Sequence, residues 1–433
     1  MIPTRLKIAD NIYLSVIRTD KFKSGLLTFT VNLPLTKENI AYNMLLTSVL
    51  KRGTESYPTI AELNRRLDEL YSSSMDIRSA RLGKNLTLTV SADMLDSSYI
   101  PDDTDVLGGV LELIAETVYK PKLEGEYFPE AKVEQEKRFL TDSINAVVNN
   151  TRSYASSRLS ELMFAKDEEF PTLEELKDTV ASINNVKLTD FYRDIWRHSP
   201  LQIFYVGSLS EEELAKRISA LFSPWSISNE IIPTRPYPEP ICEYKAITER
   251  MPVSQGKLAI GFKMGICIGD ERQYAAIVLN ELFGGSAASK LFLNVRERLS
   301  LCYYCSSSYD RYTGTLTVSS GIENKNREIA ERAILSELND IKTCKISQTE
   351  LDSAKKSLLN GYRQIYDSPY DLQSYYANRG FFGFTDNIET AKQKVLNVTA
   401  NDISELAKMI VCDSVFFVEG ASSSGKEEAE YDE

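Results

Sequence analysis

Two side chains in the second half of the chain are suited to holding a developing negative charge. Arg296 follows the pair Gly284-Gly285, and Tyr303 lies seven residues after Arg296. A guanidinium and a phenol both donate hydrogen bonds, so together they can bind a carbonyl oxygen as it becomes an oxyanion. The alternative is that Arg296 is a surface residue paired with a neighbouring acid and that Tyr303 is a core residue. The sequence leaves both interpretations open.

Histidine-dependent hydrolysis has almost no residues to draw on. His198 is the only histidine among the 433 residues. Histidine-based zinc hydrolysis, Ser-His triads and Cys-His nucleophile pairs all require imidazole. The sequence around His198, Arg-His-Ser-Pro, predicts the end of a helix, where a capping or surface role is expected. We therefore predict no complete catalytic or metal site on this chain alone.

The six cysteines all lie in the second half of the chain and do not form the dense framework of a secreted disulfide-rich domain. Cys302 and Cys305 have the spacing of a redox pair. Residues three apart on a regular strand point to opposite faces, however, so the sequence predicts two unlinked thiols. Residues 1–10 lack the apolar core of an export signal, and a cytoplasmic protein is expected.

The charge and hydropathy of the chain argue against two classes of partner. The net charge of −12 would repel phosphate groups, and no cluster of Lys and Arg offsets it. No apolar run approaches the length that spans a bilayer. We therefore expect a soluble globular protein that binds neither nucleic acid nor a membrane.

The segment 44–54 lies in a predicted amphipathic helix that Thr36 caps. It resembles the zinc-binding helix of the pitrilysin/insulinase peptidase family, the inverzincins, whose pattern His-x-x-Glu-His continues to a Lys and then Gly-Thr. Met44 and Ser48 stand at the two histidine positions, and Thr47 stands at the position of the general base. A thioether and two hydroxyls cannot replace two imidazoles and a carboxylate.

The family's third zinc ligand is a glutamate on a downstream helix, and it falls on Glu134 or Glu136. One carboxylate without histidines makes no zinc site. The resemblance therefore implies an inactive, zinc-less member whose metal motif is degenerate.

The segment that contains Gly284-Gly285, Arg296 and Tyr303 is similar to a second motif of the same family, in its C-terminal domain, at the same spacing. The resemblance implies that Arg296 and Tyr303 bind the substrate backbone and help to stabilise the oxyanion at a zinc site on an opposing domain.

The resemblance also implies a partner. Family members of about this length act as homodimers or heterodimers, and in the mitochondrial processing peptidase one subunit holds the zinc while the other does not. This chain would then be the zinc-less subunit of a heterodimeric metallopeptidase, inactive alone. Zinc would be present only in a zinc-bearing sibling subunit, and the substrate would be a peptide. The alternative is a non-catalytic structural or peptide-binding scaffold protein.

The elements that must position these residues occur twice along the chain. An alternating strand at 27–31 and the helix after it are matched by a strand at 257–262 and a helix over 271–283, and each half closes on an apolar strand and a glycine. This order indicates a duplicated α+β unit. With the resemblance, it implies two tandem metallohydrolase-like domains of the processing-peptidase/LuxS-like fold, each a mostly antiparallel sheet with helices packed on it.

Prolines divide the two halves. Four of them crowd residues 233–240 and predict an extended linker over 226–242. We predict an N-terminal peptidase-like domain with the degenerate zinc motif at 1–225 and a C-terminal peptidase-like domain at 243–420. Residues 421–433 are rich in Ser, Lys and Glu and predict a disordered acidic tail.

Overall fold

The computed structural model describes residues 1–9, 12–222, 244–384 and 386–420. The chain divides into two compact units. The first unit comprises Met1–Asn145, Glu168–Arg235 and Tyr362–Thr390, and the second comprises Ala146–Asp167, Pro236–Gly361 and Ala391–Glu433. The predicted linker at 226–242 and the predicted tail at 421–433 lie outside the described residues, and the predicted domain bounds stay a prediction.

Within the described ranges the chain forms eleven strands. They are β1 (Thr4–Ala9), β2 (Ile12–Arg18), β3 (Ser24–Pro34), β4 (Ser74–Leu82), β5 (Asn85–Leu95), β6 (Leu201–Gly207), β7 (Lys245–Met251), β8 (Gly256–Lys263), β9 (Cys302–Asp310), β10 (Thr315–Ile322) and β11 (Val411–Gly420).

Helices connect and cover these strands. The α-helices are α1 (Lys37–Leu50), α2 (Ile60–Glu69), α3 (Val106–Tyr119), α4 (Glu130–Asn145), α5 (Thr151–Met163), α6 (Leu173–Ser182), α7 (Asn185–His198), α8 (Glu211–Phe222), α9 (Gln273–Asn280), α10 (Arg327–Lys342), α11 (Gln348–Gln364), α12 (Pro369–Phe381), α13 (Ile388–Asn397) and α14 (Ala400–Lys408). Two further segments, Glu281–Gly285 and Leu291–Arg298, are π-helical. In the described part of the chain, no helix has the length and apolar character needed to cross a bilayer.

The first unit is built on a six-stranded sheet in the order β1-β2-β6-β3-β5-β4. Only β2 and β6 run parallel; the other neighbours are antiparallel. β3 and β5 pair along their whole length, from Ser24 opposite Leu95 to Pro34 opposite Asn85. This long pair holds β4 at the edge of the sheet, beside α1.

The second unit repeats this arrangement with five strands in the order β7-β11-β8-β10-β9. Here too a single pair, β7 and β11, is parallel. When β1 is omitted and the remaining strands of each unit are numbered in sequence order, both sheets have the order 1-5-2-4-3. The parallel pair lies at the same end of both sheets. The predicted duplication and the predicted α+β fold with mostly antiparallel sheets are confirmed.

The core of the first unit lies between one face of the sheet and the helices on it. Leu45 and Val49 of α1 lie one turn apart and are buried, in one cluster with Phe29 of β3, Ile114 of α3 and Leu188 of α7. Burying a large apolar side chain of this kind stabilises a fold by about 1.5–3 kcal/mol. Apolar packing thus holds the buried face of the helix that carries the predicted motif.

Each unit includes a helix from the other half of the sequence. Ala155, Leu159 and Met163 of α5 pack in one cluster with Phe416 and Val418 of β11, so α5 belongs to the second unit. α12 comes late in the chain and packs on β3 and β6 of the first unit.

The turn after α1 depends on glycine. Gly53 has a φ of +142°, and a Cβ added there would lie 2.6 Å from the backbone oxygen of Tyr57. The next residue, Thr54, is fully buried, and its hydroxyl donates to a carboxylate oxygen of Glu116 at 2.7 Å. The Gly-Thr pair therefore has a structural reason that is independent of metal binding.

Gly53→Ala should lower the free energy of unfolding by about 1–3 kcal/mol, because it forces a side chain into a strained backbone region against the carbonyl of Tyr57. Gly361→Ala is the matched control. Gly361 lies inside α11 with no atom near an added Cβ, so alanine should stabilise the helix by about 0.5–1 kcal/mol. Urea unfolding followed by circular dichroism measures both. An unchanged midpoint for Gly53→Ala would contradict this account of the turn.

Candidate functional site

The three degenerate motif positions lie on α1, whose first turn is capped by the Thr36 hydroxyl as predicted. The Thr47 hydroxyl donates to the carbonyl of Asn43 at 2.7 Å, and the Ser48 hydroxyl donates to the carbonyl of Met44 at 3.3 Å. Both hydroxyls therefore bond back to their own helix. Neutral hydroxyls held in this way are poor zinc ligands, and the donor set at this helix does not fit zinc.

At the position predicted for the third ligand, the structure has an ion pair. Glu136 of α4 is only 3% exposed, and its two carboxylate oxygens lie 2.6 Å from Nε and 2.9 Å from Nη2 of Arg52, just beyond the end of α1. Glu134, the other candidate, is half-exposed and pairs with Lys137 at 2.9 Å. The buried carboxylate is thus neutralised by a guanidinium instead of a metal. Across the described residues, no group of three or more His, Cys, Asp and Glu side chains could hold a metal ion.

Two cavities flank α1 in the first unit. One, of about 350 Å³, is lined by Ser48, Arg52 and Glu136 together with apolar residues of α2 and β4. The other, of about 470 Å³, is lined by Met44, Thr47 and Ser48 and by residues 79–81 of β4. The structure therefore brings all three degenerate positions and the candidate ligand Glu136 to neighbouring cavities, with Ser48 lining both.

Strand β4 runs beside both cavities and is the outer strand of its sheet. It pairs with β5 on one side, and no other described strand pairs with its second side. Its first half carries charges: Asp76 pairs with Lys51 at 2.8 Å and with Arg78 at 2.5 Å. Burial raises the pKa of Asp76, but hydrogen bonds from Lys51 and Arg78 outweigh it and hold this pKa below its usual value. Charged side chains oppose pairing with another strand at residues 76–78, and they oppose it less beyond residue 78.

A buried asparagine connects α1 to this edge, and the sequence analysis did not identify it. The amide nitrogen of Asn43 donates to the Ser79 hydroxyl at 2.8 Å and to the carbonyl of Thr87 at 3.1 Å. The sequence signal for this contact was Asn43 itself, a polar residue among the buried apolar positions of α1. Asn43 fixes the distance between α1 and β4, and thereby the width of the larger cavity.

Arg296 and Tyr303 lie in the second unit. Arg296 is in the π-helical segment Leu291–Arg298, a conformation that is rare and is often found at functional sites. Its guanidinium carbon lies 4.5 Å from the ring centroid of Phe292, and Nη1 lies 3.3 Å from a carboxylate oxygen of Glu297. The pairing of Arg296 with a neighbouring acid is confirmed.

Tyr303 is the second residue of the edge strand β9, and it is 65% exposed. The expectation that Tyr303 is a core residue is wrong. Within the described residues, no hydrogen bond reaches its hydroxyl, which is consistent with a group that can bind something else. The catalytic roles of Arg296 and Tyr303 stay a prediction.

Cys302 and Cys305 are unlinked thiols, as predicted, but they do not point to opposite faces of a regular strand. The register between β9 and β10 shifts at Tyr303, so the strand is not regular between the two cysteines. The shift brings Cys302 and Cys305 to the same face, and both are free thiols.

His198 lies at the end of α7, as predicted, and its side chain is 48% exposed. Its Nε2 is 3.7 Å from a carboxylate oxygen of Asp194, one turn earlier on the same helix. A basic side chain in the last turn of a helix interacts favourably with the helix C-terminus.

Comparisons with known proteins converge on one family. The family model described as the peptidase M16 inactive domain matches residues 182–358. A Bacillus subtilis protein named probable inactive metalloprotease YmfF is 32% identical over 409 residues, which are 94% of this chain and 96% of that protein. A second Bacillus subtilis protein, the uncharacterized zinc protease YmxG, is 25% identical over 53% of this chain and 56% of its own.

A solved structure is similar along the whole chain. The crystal structure of a conserved protein from Enterococcus faecalis V583 matches with a TM-score of 0.90 at 28% identity, and the match covers 98% of this chain and 100% of that one.

Removing Arg52 tests the ion pair between Arg52 and Glu136. Arg52→Met should lower the free energy of unfolding by about 3 kcal/mol, because it leaves the Glu136 carboxylate buried without a cation. Adding Glu136→Gln to that variant should recover at least about 1 kcal/mol, since the uncompensated charge is then gone. Glu134→Gln, on the same helix but exposed, should change stability by less than about 0.5 kcal/mol. Urea unfolding of the unchanged chain, Arg52→Met, Glu136→Gln, their double variant and Glu134→Gln measures the coupling, and strictly additive effects of the Arg52 and Glu136 changes would refute it.

Proposed function

The chain belongs to the M16 peptidase family as an inactive homologue of its metalloproteases, and from this premise we propose that it is the zinc-less subunit of a heterodimeric bacterial metallopeptidase. A sibling subunit binds zinc and supplies the general base. This chain supplies Arg296 and Tyr303, which bind the peptide backbone and stabilise the oxyanion at the sibling's zinc. The chain has no activity alone and no cofactor of its own.

The observation that carries the proposal is the unequal state of the two motifs. At α1 the hydroxyls of Thr47 and Ser48 bond to their own helix, and Glu136 is neutralised by Arg52. In the second unit, by contrast, the Tyr303 ring is mostly exposed and the Arg296 side chain is 38% exposed. An exposed tyrosine whose hydroxyl makes no hydrogen bond with the described residues is available to a partner, whereas the donors at α1 are not.

The chemistry of Arg296 and Tyr303 suits a subunit that completes another protein's site. The Phe292 ring beneath the guanidinium restricts Arg296 to one side, and a cation held over a ring retains its hydrogen-bond donors. Fixed donors near a peptide carbonyl would stabilise the oxyanion formed in hydrolysis, and a zinc held by the sibling would supply the activation of the nucleophile. Neither side chain needs to gain or lose a proton for this role, so the missing base does not prevent it.

The relatives support a pair of unlike subunits. Bacillus subtilis has both a relative named a probable inactive metalloprotease and a relative named a zinc protease. We place the complex in the cytoplasm, where the described cysteines, all free thiols, would remain reduced.

Affinity purification of this chain from its native cell should recover a stoichiometric zinc-containing sibling, with one zinc per two subunits by elemental analysis. In that complex, Arg296→Ala or Tyr303→Phe should lower kcat by about 10²–10³-fold, because each removes a donor to the oxyanion. The measurement is cleavage of a fluorogenic peptide, together with zinc content and size-exclusion chromatography.

Arg298→Ala is the matched control. Arg298 lies in the same π-helical segment and is exposed, so its removal should leave turnover unchanged. Normal turnover in both the Arg296 and Tyr303 variants, with assembly and zinc intact, would refute the proposed roles.

A second candidate, a peptide-binding protein that does not catalyse, is favoured by the free side of β4. An extended peptide can add to an exposed sheet edge through main-chain hydrogen bonds, and alternate side chains then enter pockets beside the strand. Residues 79–82 of β4 offer such an edge, and the two cavities at Ser48 provide pockets next to it. In this function the chain would hold a peptide without a zinc-bearing partner.

Ser48→Phe should separate this function from the first. A phenyl ring at Ser48 projects into both cavities, so it should weaken binding of a fluorescein-labelled digest of an unfolded protein by about tenfold, as judged by fluorescence anisotropy of the isolated chain. Ser182→Phe, at an exposed position at the end of α6, should have no effect. Equal binding by the two variants would rule out the cavities beside β4 as the peptide site.

A further inference from the structure

The start of β9 contains a β-bulge at Tyr303. Strands β9 and β10 pair in regular antiparallel register from Asp310 opposite Thr315 to Tyr304 opposite Gly321, but the next residue of β10, Ile322, pairs with Cys302. Tyr303 therefore has no partner residue across the ladder. Because a bulge adds one residue to one strand, it reverses the alternation of side chains at that point.

The bulge determines where the two thiols lie. Without it, Cys302 and Cys305 would occupy opposite faces of β9. With it, they are two ladder positions apart on the same face, and the Cys305 thiol is within hydrogen-bond reach of the Cys302 sulfur. The pair is also unequal in exposure, since Cys302 is half-exposed and Cys305 is 4% exposed.

The surroundings favour the thiolate of Cys302. A hydrogen bond from the Cys305 thiol and the positive charge of Arg296 together outweigh burial, and they hold the pKa of the Cys302 thiol below its usual value. The hydrogen bond to Cys302 and its own burial raise the pKa of Cys305 far above the usual value. One thiol is thus a nucleophile that reagents can reach, and the other is a protonated, protected neighbour.

We propose that Cys302 and Cys305 are a redox-active dithiol, which a low-molecular-weight disulfide such as glutathione disulfide converts to an intrachain disulfide. The Cys302 thiolate attacks one sulfur of glutathione disulfide, forms a mixed disulfide and releases a glutathione thiolate. Cys305 then loses its proton to that released thiolate and attacks the Cys302 sulfur, which expels the second glutathione as a thiolate that takes a proton from water. The two cysteines are oxidised, and one glutathione disulfide is reduced to two glutathione molecules.

Cys267 and Cys344 lack this arrangement. Cys267 is buried, and burial raises the pKa of its thiol to about 12. Cys344 is exposed at the end of α10, so it is a suitable internal reference for a thiol that reagents reach freely.

The full chain is incubated with glutathione disulfide at neutral pH, quenched with acid, alkylated and digested for peptide mass spectrometry. The expected product is a Cys302–Cys305 disulfide that forms at least about threefold faster than glutathione adds to Cys344, because a larger thiolate fraction outweighs the lower nucleophilicity of a more acidic thiol. Cys305→Ala should stop the reaction at a stable Cys302 mixed disulfide with glutathione. Cys302→Ala should leave Cys305 reduced.

Two results would overturn the proposal. One is a reduced Cys302 in a sample in which Cys344 already carries glutathione. The other is a Cys302 mixed disulfide that persists in the unchanged chain, since Cys305 would then fail to displace the glutathione. Neither readout depends on a partner subunit or on peptide cleavage, so this test is independent of the proposed function.

Discussion

A carboxylate that is almost fully buried needs a positive charge beside it, and in the first unit this requirement falls on Glu136. The carboxylate lies on α4, which packs directly on α1, and Arg52 reaches it from the turn that follows α1. The chain itself supplies this charge through Arg52, so the contact between α1 and α4 contains a compensated carboxylate.

The predicted motif positions on α1 are likewise occupied by structural contacts. Thr47 and Ser48 bond to the carbonyls one turn back, and Met44 lines a cavity, yet the helix keeps its buried apolar face. The turn with Gly53 is retained for a different reason, because its backbone angle excludes other residues. What the fold requires and what zinc chemistry requires are therefore separable at this helix. A motif can lose its donors and keep its shape.

Much of the fold could be predicted because it depends on local patterns. The cap at Thr36 and the repeated strands follow from residues close together in the sequence. The helix predicted over 271–283 proved shorter, since α9 changes to a π-helix at Glu281. The Gly284-Gly285 pair after it allows a close approach to the backbone of Ser307, 2.5 Å from where a Cβ of Gly284 would lie.

The features that the sequence did not reveal depend on contacts between distant residues. Arg52 and Glu136 are far apart in the chain, and nothing in either sequence context pairs them. The free side of β4 is a property of strand order, and strand order is set by the β3 and β5 pairing. The location of α5 in the second unit likewise follows from its contact with β11. Periodicity identifies a face to be buried but does not say what buries it.

The bulge at Tyr303 shows how one backbone irregularity can change the chemistry of a segment. A strict two-residue alternation would put the cysteines on opposite faces and would give Tyr303 a partner on β10. The extra residue removes that partner, which leaves the Tyr303 side chain mostly exposed, and it brings the thiols together. Exposing an aromatic ring on an edge strand sacrifices burial worth about 1.5–3 kcal/mol, so the bulge is not explained by the stability of the sheet. Bulges are common beside functional sites because they re-aim side chains. Arg296 contributes to the same place, since its charge acts on Cys302 from the preceding π-helical segment. The chemically reactive residues of the second unit therefore form one local group, organised by a π-helix and a bulge, whereas the hydroxyls at the predicted motif positions of the first unit bond to their own helix.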